Sequence, residues 1–285
     1  MTAPIAVTGA TGQLGGLIAA ALSAAGVQQR LLVRSPSRAP VLPATEVVTA
    51  EYADRAAVKA ALAGVGTVFM VSGAEEPDRL TTHRTFVDAA VEAGVGRIVY
   101  TSFFAAAPDA TFTLARDHWH TEQHIRASGL RFTFLRDNFY AEQFAQFAGV
   151  DGVLLGPGGD GRVSAVARRD VADAAVAVLL DASDSAGTSV HDGRTYDLTG
   201  PESLSLAEVA RILSETTGRD VRYQAETVDE AYASRAGYRA TGWQVDAWVS
   251  TYTAIAAGEL ARVTHDVELL TGHPATSLAR LLAAG

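Results

Sequence analysis

The stretch Ile5–Ala19, IAVTGATGQLGGLIA, most constrains what this chain can fold into, because it has the spacing of a strand, a glycine turn and a helix in succession. Gly9 permits a tight exit from the strand, and Gly12 lets backbone amides approach a pyrophosphate without an intervening Cβ. Gly15 allows close packing of the helix against the strand. The helix N-terminus adds partial positive charge, so the segment predicts a binding site for the phosphates of a dinucleotide.

The residues expected to contact those phosphates share this turn. They are Gly9, Thr11, Gly12, Gln13, Leu14 and Gly15. Glycine turns are common in a chain with 26 glycines among 285 residues, so the motif alone also fits a plain turn. Its place directly behind a strand, within ten residues of the start of the sequence, favours the dinucleotide site.

Strand and helix patterns alternate after this turn. The predicted strands are 29–33, 46–49, 67–72, 97–102 and 132–136, and the predicted helices are 15–25, 55–63, 81–93 and 116–127. Such alternation predicts an α/β fold in which a doubly wound parallel sheet has helices on both faces.

The pattern changes beyond Tyr140, where closely spaced glycines break the chain into short pieces. The sequence predicts a helix over 170–180 capped by Asp170, a strand at 196–198 that rejoins the sheet edge, and a helix over 203–217 capped by Ser205. A short strand at 221–224 and a mostly helical stretch over 228–284 follow. We therefore expect a dinucleotide-binding domain over 1–150 and a smaller, mostly helical C-terminal substrate-binding lobe over 151–285, with a soft boundary.

Composition narrows the classes of partner. The formal net charge is −9 and no run of Lys or Arg occurs, which disfavours a nucleic-acid or anionic-membrane surface. No apolar run reaches the roughly 18 residues of a membrane span, and a first strand beginning by residue 5 leaves no room for a secretory leader. The chain has no cysteine. We expect a cytoplasmic protein without disulfides or membrane association.

The loop after the second strand indicates which dinucleotide binds. In this kind of fold a carboxylate there binds the ribose 2′-hydroxyl of NAD, but this chain has Arg34 at that position, with Arg38 on the same loop. No Asp or Glu lies between Gly15 and Glu46. A guanidinium matches a 2′-phosphate, so we expect NADPH (oxidised form, NADP). The alternative is that both arginines are solvated loop charges.

The carboxyl ends of later strands are expected to surround the nicotinamide, because ligands of open α/β sheets bind beyond those ends. The residues expected to contact the cofactor there are Val71, Ser72, Gly73, Ser102, Phe103, Asn138 and Phe139. For Phe103, Phe104, Phe139 and Tyr140, core packing is as good an interpretation as substrate contact.

Four segments carry a family resemblance. They are GATGQLG (9–15), LARDHWHTEQHIRASGLRFTFLRDNFY (114–140), YDLTGPESLSLAEVA (196–210) and LTGHPATSLARLL (270–282). The chain resembles the NmrA-like group of atypical short-chain dehydrogenases, and within it the NADPH-quinone oxidoreductase branch. The resemblance implies a Rossmann sheet, NADP as cofactor and a small-molecule, quinone-like substrate; a homodimer is compatible with it.

Short-chain dehydrogenases usually carry a catalytic Tyr-x-x-x-Lys pair on the helix after the fifth strand. The resemblance places Leu114 at the Tyr position and His118 at the Lys position, and the only lysine, Lys59, lies elsewhere. The pair is therefore missing. His118, as a proton donor or ribose ligand, and Tyr140 are the catalytic candidates, while packing of His118 against Glu122 is the alternative.

Other chemistries find little support in the sequence. His120 and His124 have metal-ligand spacing on a helix, as do His118 and Glu122, but no third ligand with a recognisable motif accompanies them, so no metal is expected. Ser102 lacks the Gly-x-Ser-x-Gly elbow of a hydrolase nucleophile. The remaining histidines, His83, His191, His265 and His273, are interpreted as surface residues.

The leading hypothesis is an NADPH-dependent oxidoreductase that transfers hydride to a quinone or similar conjugated carbonyl. One alternative is a ketoreductase or enoyl-type reductase of secondary metabolism. Another is a non-catalytic NADP sensor, since some NmrA-like proteins serve as redox-sensing regulators.

Overall fold

The computed structural model describes residues 3–181 and 188–284. Its strands are β1 (Ile5–Thr8), β2 (Gln29–Val33), β3 (Thr45–Thr49), β4 (Thr67–Met70), β5 (Arg97–Phe103), β6 (Arg131–Asp137), β7 (Val153–Gly156), β8 (Arg162–Val163), β9 (Arg194–Leu198), β10 (Leu204–Ser205) and β11 (Arg222–Ala225). Its helices are α1 (Gln13–Ala24), α2 (Arg55–Ala61), α3 (Arg79–Glu92), α4 (Thr113–Ala127), α5 (Gln143–Phe147), α6 (Arg168–Leu180), α7 (Leu206–Thr217), α8 (Val228–Arg235), α9 (Gly242–Ala256), α10 (Asp266–Thr271) and α11 (Leu278–Ala283).

Seven strands form the central sheet, in the order β3-β2-β1-β4-β5-β6-β9. The pairs β1 with β2, β2 with β3, β1 with β4 and β4 with β5 are all parallel. The chain winds outward from β1 to β3 on one side and from β4 to β6 on the other, so the order reverses between β1 and β4. This is the predicted doubly wound fold, with its topological switch point between those two strands.

The described chain forms two compact units, each built from separate stretches of sequence. The first unit comprises 3–102, 119–135, 171–181 and 188–196; the second unit comprises 103–118, 136–170 and 197–284. The division into a dinucleotide-binding domain over 1–150 and a substrate-binding lobe over 151–285 stays a prediction.

The core of the first unit is explained by the apolar central strands, as expected for parallel strands covered on both faces. Val68 and Met70 of β4 and Ile98 and Tyr100 of β5 are fully buried. They join a core with Phe86 and other residues from the apolar side of α3.

The second unit contains α5 and α7 to α11, with two small sheets in which β10 pairs antiparallel with β8 and β11 pairs parallel with β7. Helix α7 supplies much of its core through Leu206, Val209 and Leu213. The predicted cap of this helix is confirmed: Ser205 Oγ accepts from Glu208 N, and the Glu208 carboxylate accepts from Ser205 N at 2.8 Å. The predicted strand at 196–198 does join the sheet edge, as β9.

The predicted cap of α6 is wrong. The helix begins at Arg168, so Asp170 lies in its first turn. There the carboxylate accepts from Thr276 N at 2.6 Å and from Thr276 Oγ1 at 2.9 Å. Arg168 N instead donates to Glu142 Oε1 at 2.9 Å. A side chain distant in sequence thus provides the acceptor that local reasoning assigned to Asp170.

Within the described residues, no helix combines the length and the apolar character needed to cross a bilayer.

Candidate active site

The glycine turn has a geometry that only glycine permits. Gly9 has φ +65°, in the left-handed region that favours glycine. Gly12 N donates to Gly9 O at 2.9 Å and closes the turn. A Cβ on Gly15 would lie 2.4 Å from Gly9 O and 2.8 Å from Thr8 O. The start of α1 therefore lies so close to the strand exit that no side chain fits at Gly15.

The first turn of α1 is open to an anion. Gly12 is the N-cap, so no capping side chain accepts from the first amides, and no acidic residue lies in the first turn. Gly12 and Gln13 are exposed, Thr11 is half-buried and Leu14 is buried. Uncapped amides at the positive end of a helix dipole suit a pyrophosphate, and the turn fits that group.

The loop after β2 carries the two predicted arginines. Because β1 and β2 are parallel and Thr8 pairs with Leu32, this loop and the glycine turn leave the same edge of the sheet. Arg34 and Arg38 are exposed. No side-chain hydrogen bond or ion pair to either guanidinium occurs within 3–181 and 188–284. Their N–H donors are therefore available to a ligand. The same exposure is also expected if both arginines are solvated loop charges.

The switch point between β1 and β4 is held by hydrogen bonds. Thr8 Oγ1 accepts from Val71 N at 2.9 Å, and the Tyr52 hydroxyl donates to Val71 O at 2.7 Å while also hydrogen bonding to Thr8. One residue further, Ser72 N donates to Thr101 Oγ1 of β5 at 2.8 Å. These bonds fix the backbone at the end of β4, next to the glycine turn.

His83 corrects a prediction. It is fully buried on α3, not a surface residue. Its Nε2 accepts from Gly73 N at 2.8 Å, and its Nδ1 lies 2.9 Å from Thr121 Oγ1. Burial, and secondarily the nearby charge of Arg79, hold the pKa of His83 well below its usual 6.5.

Ser102, at the end of β5, is also fully buried. Its hydroxyl donates to Glu122 Oε1 at 2.6 Å, and Glu122 is fully buried as well. Two consecutive residues of α4 therefore support neighbouring segments: Glu122 bonds Ser102 in β5 directly, and Thr121 bonds His83, which accepts from Gly73 beyond β4.

In the second unit, Phe103 lies beside His118. The ring centres of Phe103 and His118 are 6.1 Å apart, those of Phe103 and Phe112 are 4.8 Å apart, and His118 is buried. Phe104 is a core residue, with the guanidinium of Arg262 5.0 Å from its ring centre. The half-buried Phe103 is the better placed of the two phenylalanines for contact with a ligand.

The side-chain amide of Asn138 makes its hydrogen bonds within the second unit. Its Nδ2 donates to Ser164 Oγ at 2.9 Å and to Leu260 O at 3.0 Å, while its Oδ1 accepts from Phe139 N at 2.8 Å. Both amide hydrogens are used, so only the second lone pair of Oδ1 remains for a ligand. Phe139 is half-buried, with its ring centre 5.4 Å from that of Phe144.

Tyr140 has its hydroxyl bonded within the second unit. The hydroxyl donates to Asp137 Oδ2, and the guanidinium of Arg168 lies 4.6 Å from the ring centre. Burial, followed by the Asp137 carboxylate, raises the pKa of Tyr140 well above 10. A phenol so placed gives up its proton less readily than free tyrosine does, which opposes a role as proton donor.

The described residues include no group of three side chains able to hold a metal ion. His124 Nε2 lies 2.7 Å from Asp88 Oδ1, and His120 packs edge-on against Trp119.

The structure thus distributes the predicted residues over both units. The first unit holds the glycine turn, Arg34, Arg38, Val71, Ser72, Gly73 and Ser102, and the second unit holds Phe103, His118, Asn138, Phe139 and Tyr140. Residues 1–238 match the NmrA-like family.

The chain belongs to the NmrA-like family. Quinone oxidoreductase 2 of Escherichia coli is 33% identical to this NmrA-like chain over 282 residues, which cover 96% of each protein. The crystal structure of that NADPH-dependent quinone oxidoreductase complexed with NADPH superposes with a TM-score of 0.89 at 32% identity, covering 98% of this chain and 99% of the other. A (4-alkanoyl-5-oxo-2,5-dihydrofuran-3-yl)methyl phosphate reductase of Streptomyces griseus is 37% identical over 278 residues, covering 95% and 94% of the two chains.

Several residues of this NmrA-like site were missed from the sequence: Tyr52, His83, Thr101, Thr121 and Glu122. One signal was available for His83. It precedes Phe86, Val87 and Ala90 at spacings of three, four and seven residues, which places it on the apolar face of α3. A histidine on that face has to be buried and needs hydrogen-bond partners.

Proposed function

We propose that this protein is an NADPH-dependent oxidoreductase that transfers hydride to a quinone or a similarly conjugated acceptor. The observation that carries the proposal is the glycine turn, closed to any Cβ at Gly15, in a chain related over 96% of its length to quinone oxidoreductase 2. When bound, the reduced nicotinamide supplies the hydride.

Within the first unit, we assign the cofactor's phosphates to two places. The amides of Gly12, Gln13 and Leu14 bind the pyrophosphate, and Arg34 with Arg38 binds the 2′-phosphate. Val71, Ser72, Gly73 and Ser102 line the site beyond the strand ends. Within the second unit, Phe103, His118, Asn138 and Phe139 are the proposed contacts.

The missing Tyr-Lys pair favours a quinone-like acceptor. Reduction of a simple ketone generates an alkoxide about as basic as hydroxide, whose conjugate acid has a pKa of about 15.7. Reduction of a quinone generates a phenolate-like anion, whose conjugate acid lies near the ~10 of tyrosine. The difference of roughly six pKa units corresponds to about 8 kcal/mol, so a quinone needs far less help from a positioned acid.

We propose His118 or water as the source of the proton that the reduced acceptor takes up. His118 occupies the Lys position of the usual pair and lies beside Phe103. Tyr140 has a raised pKa and donates to Asp137, so we assign it a positioning role at the end of β6 rather than proton donation.

A second candidate activity is reduction of a conjugated lactone or enone. The observation that favours it is the 37% identity to the Streptomyces griseus relative, which is named as the reductase of an alkanoyl-oxo-dihydrofuranylmethyl phosphate. A conjugated carbonyl of this kind also spreads the incoming charge, so the argument from the missing acid applies to both.

The test is NADPH oxidation by the purified protein with benzoquinones, naphthoquinones, an alkanoyl-dihydrofuranone phosphate and simple aliphatic ketones. We expect turnover with the conjugated acceptors and little with the ketones. Tight NADP binding without turnover of any acceptor would instead favour a sensor.

We further propose a cytoplasmic location, which the cysteine-free composition supports. We also propose a homodimer, which light scattering on a sizing column would test.

A further inference from the structure

We propose that His83 is a positioning residue: it holds the Gly73 peptide at the end of β4 in the orientation that the cofactor requires. This inference rests on the proposed function, because it concerns the strand end assigned to the cofactor.

The Gly73 peptide segment is held on both sides by residues of α3. The Gly73 N–H donates to His83 Nε2 at 2.8 Å, and Arg79 Nε donates to Gly73 O at 3.1 Å. Both His83 and Arg79 are buried. Two hydrogen bonds from buried side chains, one to each polar group of the half-buried Gly73, leave the residue little freedom to rotate.

The imidazole of His83 is itself fixed in one tautomer. A backbone N–H is a donor only, so Nε2 must carry a lone pair, and the proton must reside on Nδ1. Nδ1–H then donates to Thr121 Oγ1 at 2.9 Å. The Tyr100 hydroxyl also hydrogen bonds to Thr121, and the Tyr100 ring packs edge-on against His83, with the ring centres 5.9 Å apart.

The two residues before Gly73 also have their backbone N–H groups bonded to side chains. Three consecutive amides, those of Val71, Ser72 and Gly73, donate to side chains of three different elements: Thr8 of β1, Thr101 of β5 and His83 of α3. Their N–H groups are therefore engaged in fixing the backbone. A bound cofactor would therefore meet a fixed backbone shape over 71–73 and not free N–H donors. His83 fixes the last N–H of this segment, that of Gly73.

The two nitrogens of His83 can be tested separately. Asparagine ends near the position of Nδ1, so His83→Asn keeps a donor for Thr121 and removes the acceptor for Gly73. Glutamine reaches the position of Nε2, so His83→Gln keeps an acceptor for Gly73. The measurements are the NADPH dissociation constant, KM for NADPH and kcat with one benzoquinone, and the urea midpoint of unfolding.

If His83 is a positioning residue, His83→Asn and His83→Gln should differ in their affinity for NADPH. His83→Asn should weaken NADPH binding and raise its KM by about three- to tenfold, the effect of one lost hydrogen bond, while His83→Gln stays within about twofold of the unmodified protein. His265→Asn, at an exposed site, is the matched control and should change nothing. Equal NADPH affinity in the Asn and Gln variants would overturn the inference, even if both variants lose stability.

A second pair of variants covers the case in which His83→Asn does not fold. Thr121→Val removes the partner of Nδ1–H, and Thr121→Ser restores a hydroxyl there. We expect weaker NADPH binding in Thr121→Val and recovery in Thr121→Ser, whereas unchanged affinity in Thr121→Val would count against positioning. Failure of the unmodified protein to bind NADPH would refute the proposed function itself, which separates the two outcomes.

Discussion

At the end of β2, Arg34 extends from an exposed loop without a partner among residues 3–181 and 188–284. A charge-assisted contact with the 2′-phosphate contributes about 1.5 to 3 kcal/mol, so Arg34→Ala should weaken NADPH binding roughly ten- to a hundredfold. NADH binding should barely change. Arg239→Ala, at another exposed site, is the control for a general loss of positive charge. Equal weakening of both cofactors would make Arg34 structural.

His118 is one of the two proposed sources of the proton, and water is the other. His118→Ala should lower kcat with a benzoquinone by no more than roughly a hundredfold, the low end for general acid-base catalysis, because a phenolate-like product accepts a proton from water. Tyr140→Phe should leave NADPH affinity intact and lower kcat less. Steady-state kinetics and NADPH titration separate the two effects. Loss of all activity in His118→Ala with NADPH binding intact would contradict this mechanism.

Prediction from sequence succeeded for the backbone of the glycine turn, which is set locally. Gly9 and Gly15 could be recognised because a tight turn and a close helix-strand approach require glycine within one short segment. His83 and Glu122 could not, because their partners Gly73 and Ser102 are brought to them only by the fold. A side chain in the middle of an amphipathic helix does not reveal which strand end it supports.

At the scale of an element, the start of α1 offers a matched pair of glycines. A Cβ on Gly12 would lie 3.3 Å from Gly9 O, and a Cβ on Gly16 would lie 3.3 Å from Ala10 O. Gly12→Ala and Gly16→Ala therefore meet similar steric resistance, but Gly16 lies inside α1, where alanine favours the helix, and Gly12 is its N-cap, where alanine is less favourable than glycine. Only Gly12 faces the proposed pyrophosphate, so only Gly12→Ala should lose NADPH affinity.

Thermal unfolding and NADPH titration of both variants provide the measurement. A loss of affinity in Gly12→Ala alone, with both variants fully folded at the titration temperature, would support the phosphate site. A Gly12→Ala protein that binds NADPH as tightly as Gly16→Ala would show that the phosphates bind elsewhere.

The elements themselves were largely predictable, because strands and helices differ in the period of their apolar residues. The predicted strand at 29–33 matches β2, and the predicted Ser205 cap is present at the start of α7. The start of α6 was misplaced, since its first amide donates to Glu142, 26 residues earlier. Caps supplied from a distance leave no local signal.

For the whole molecule, buried ionisable groups predict a range of pH in which the fold is most stable. Below about pH 6.5, unfolded histidine binds a proton that native His83, with its lowered pKa, does not; His191 has a lowered pKa in the same direction. The free energy of unfolding should fall with decreasing pH by up to about 1.4 kcal/mol per pH unit for each such proton.

At alkaline pH the slope of the free energy of unfolding against pH has the opposite sign. Burial raises the pKa of Tyr52, Tyr100 and Tyr140, so above about pH 10 unfolded tyrosine loses protons that the native protein retains. The free energy of unfolding should therefore also fall as pH rises beyond 10. Urea midpoints at constant ionic strength between pH 5 and 11 measure both limbs. His83→Gln should flatten the acid limb, and an equally steep limb in that variant would exclude His83 as its cause.

The position of β9 at the edge of the sheet affects the order in which a growing chain can complete its fold. β9 is the neighbour of β6 at the sheet edge, and Gly193 N, directly before β9, donates to Phe132 O of β6 at 2.7 Å, yet β9 ends roughly 60 residues after β6. A ribosome needs about 3 to 12 s to add that many residues. During that interval the side of β6 that β9 later occupies has no partner strand, and unpaired strand edges are the kind through which chains aggregate.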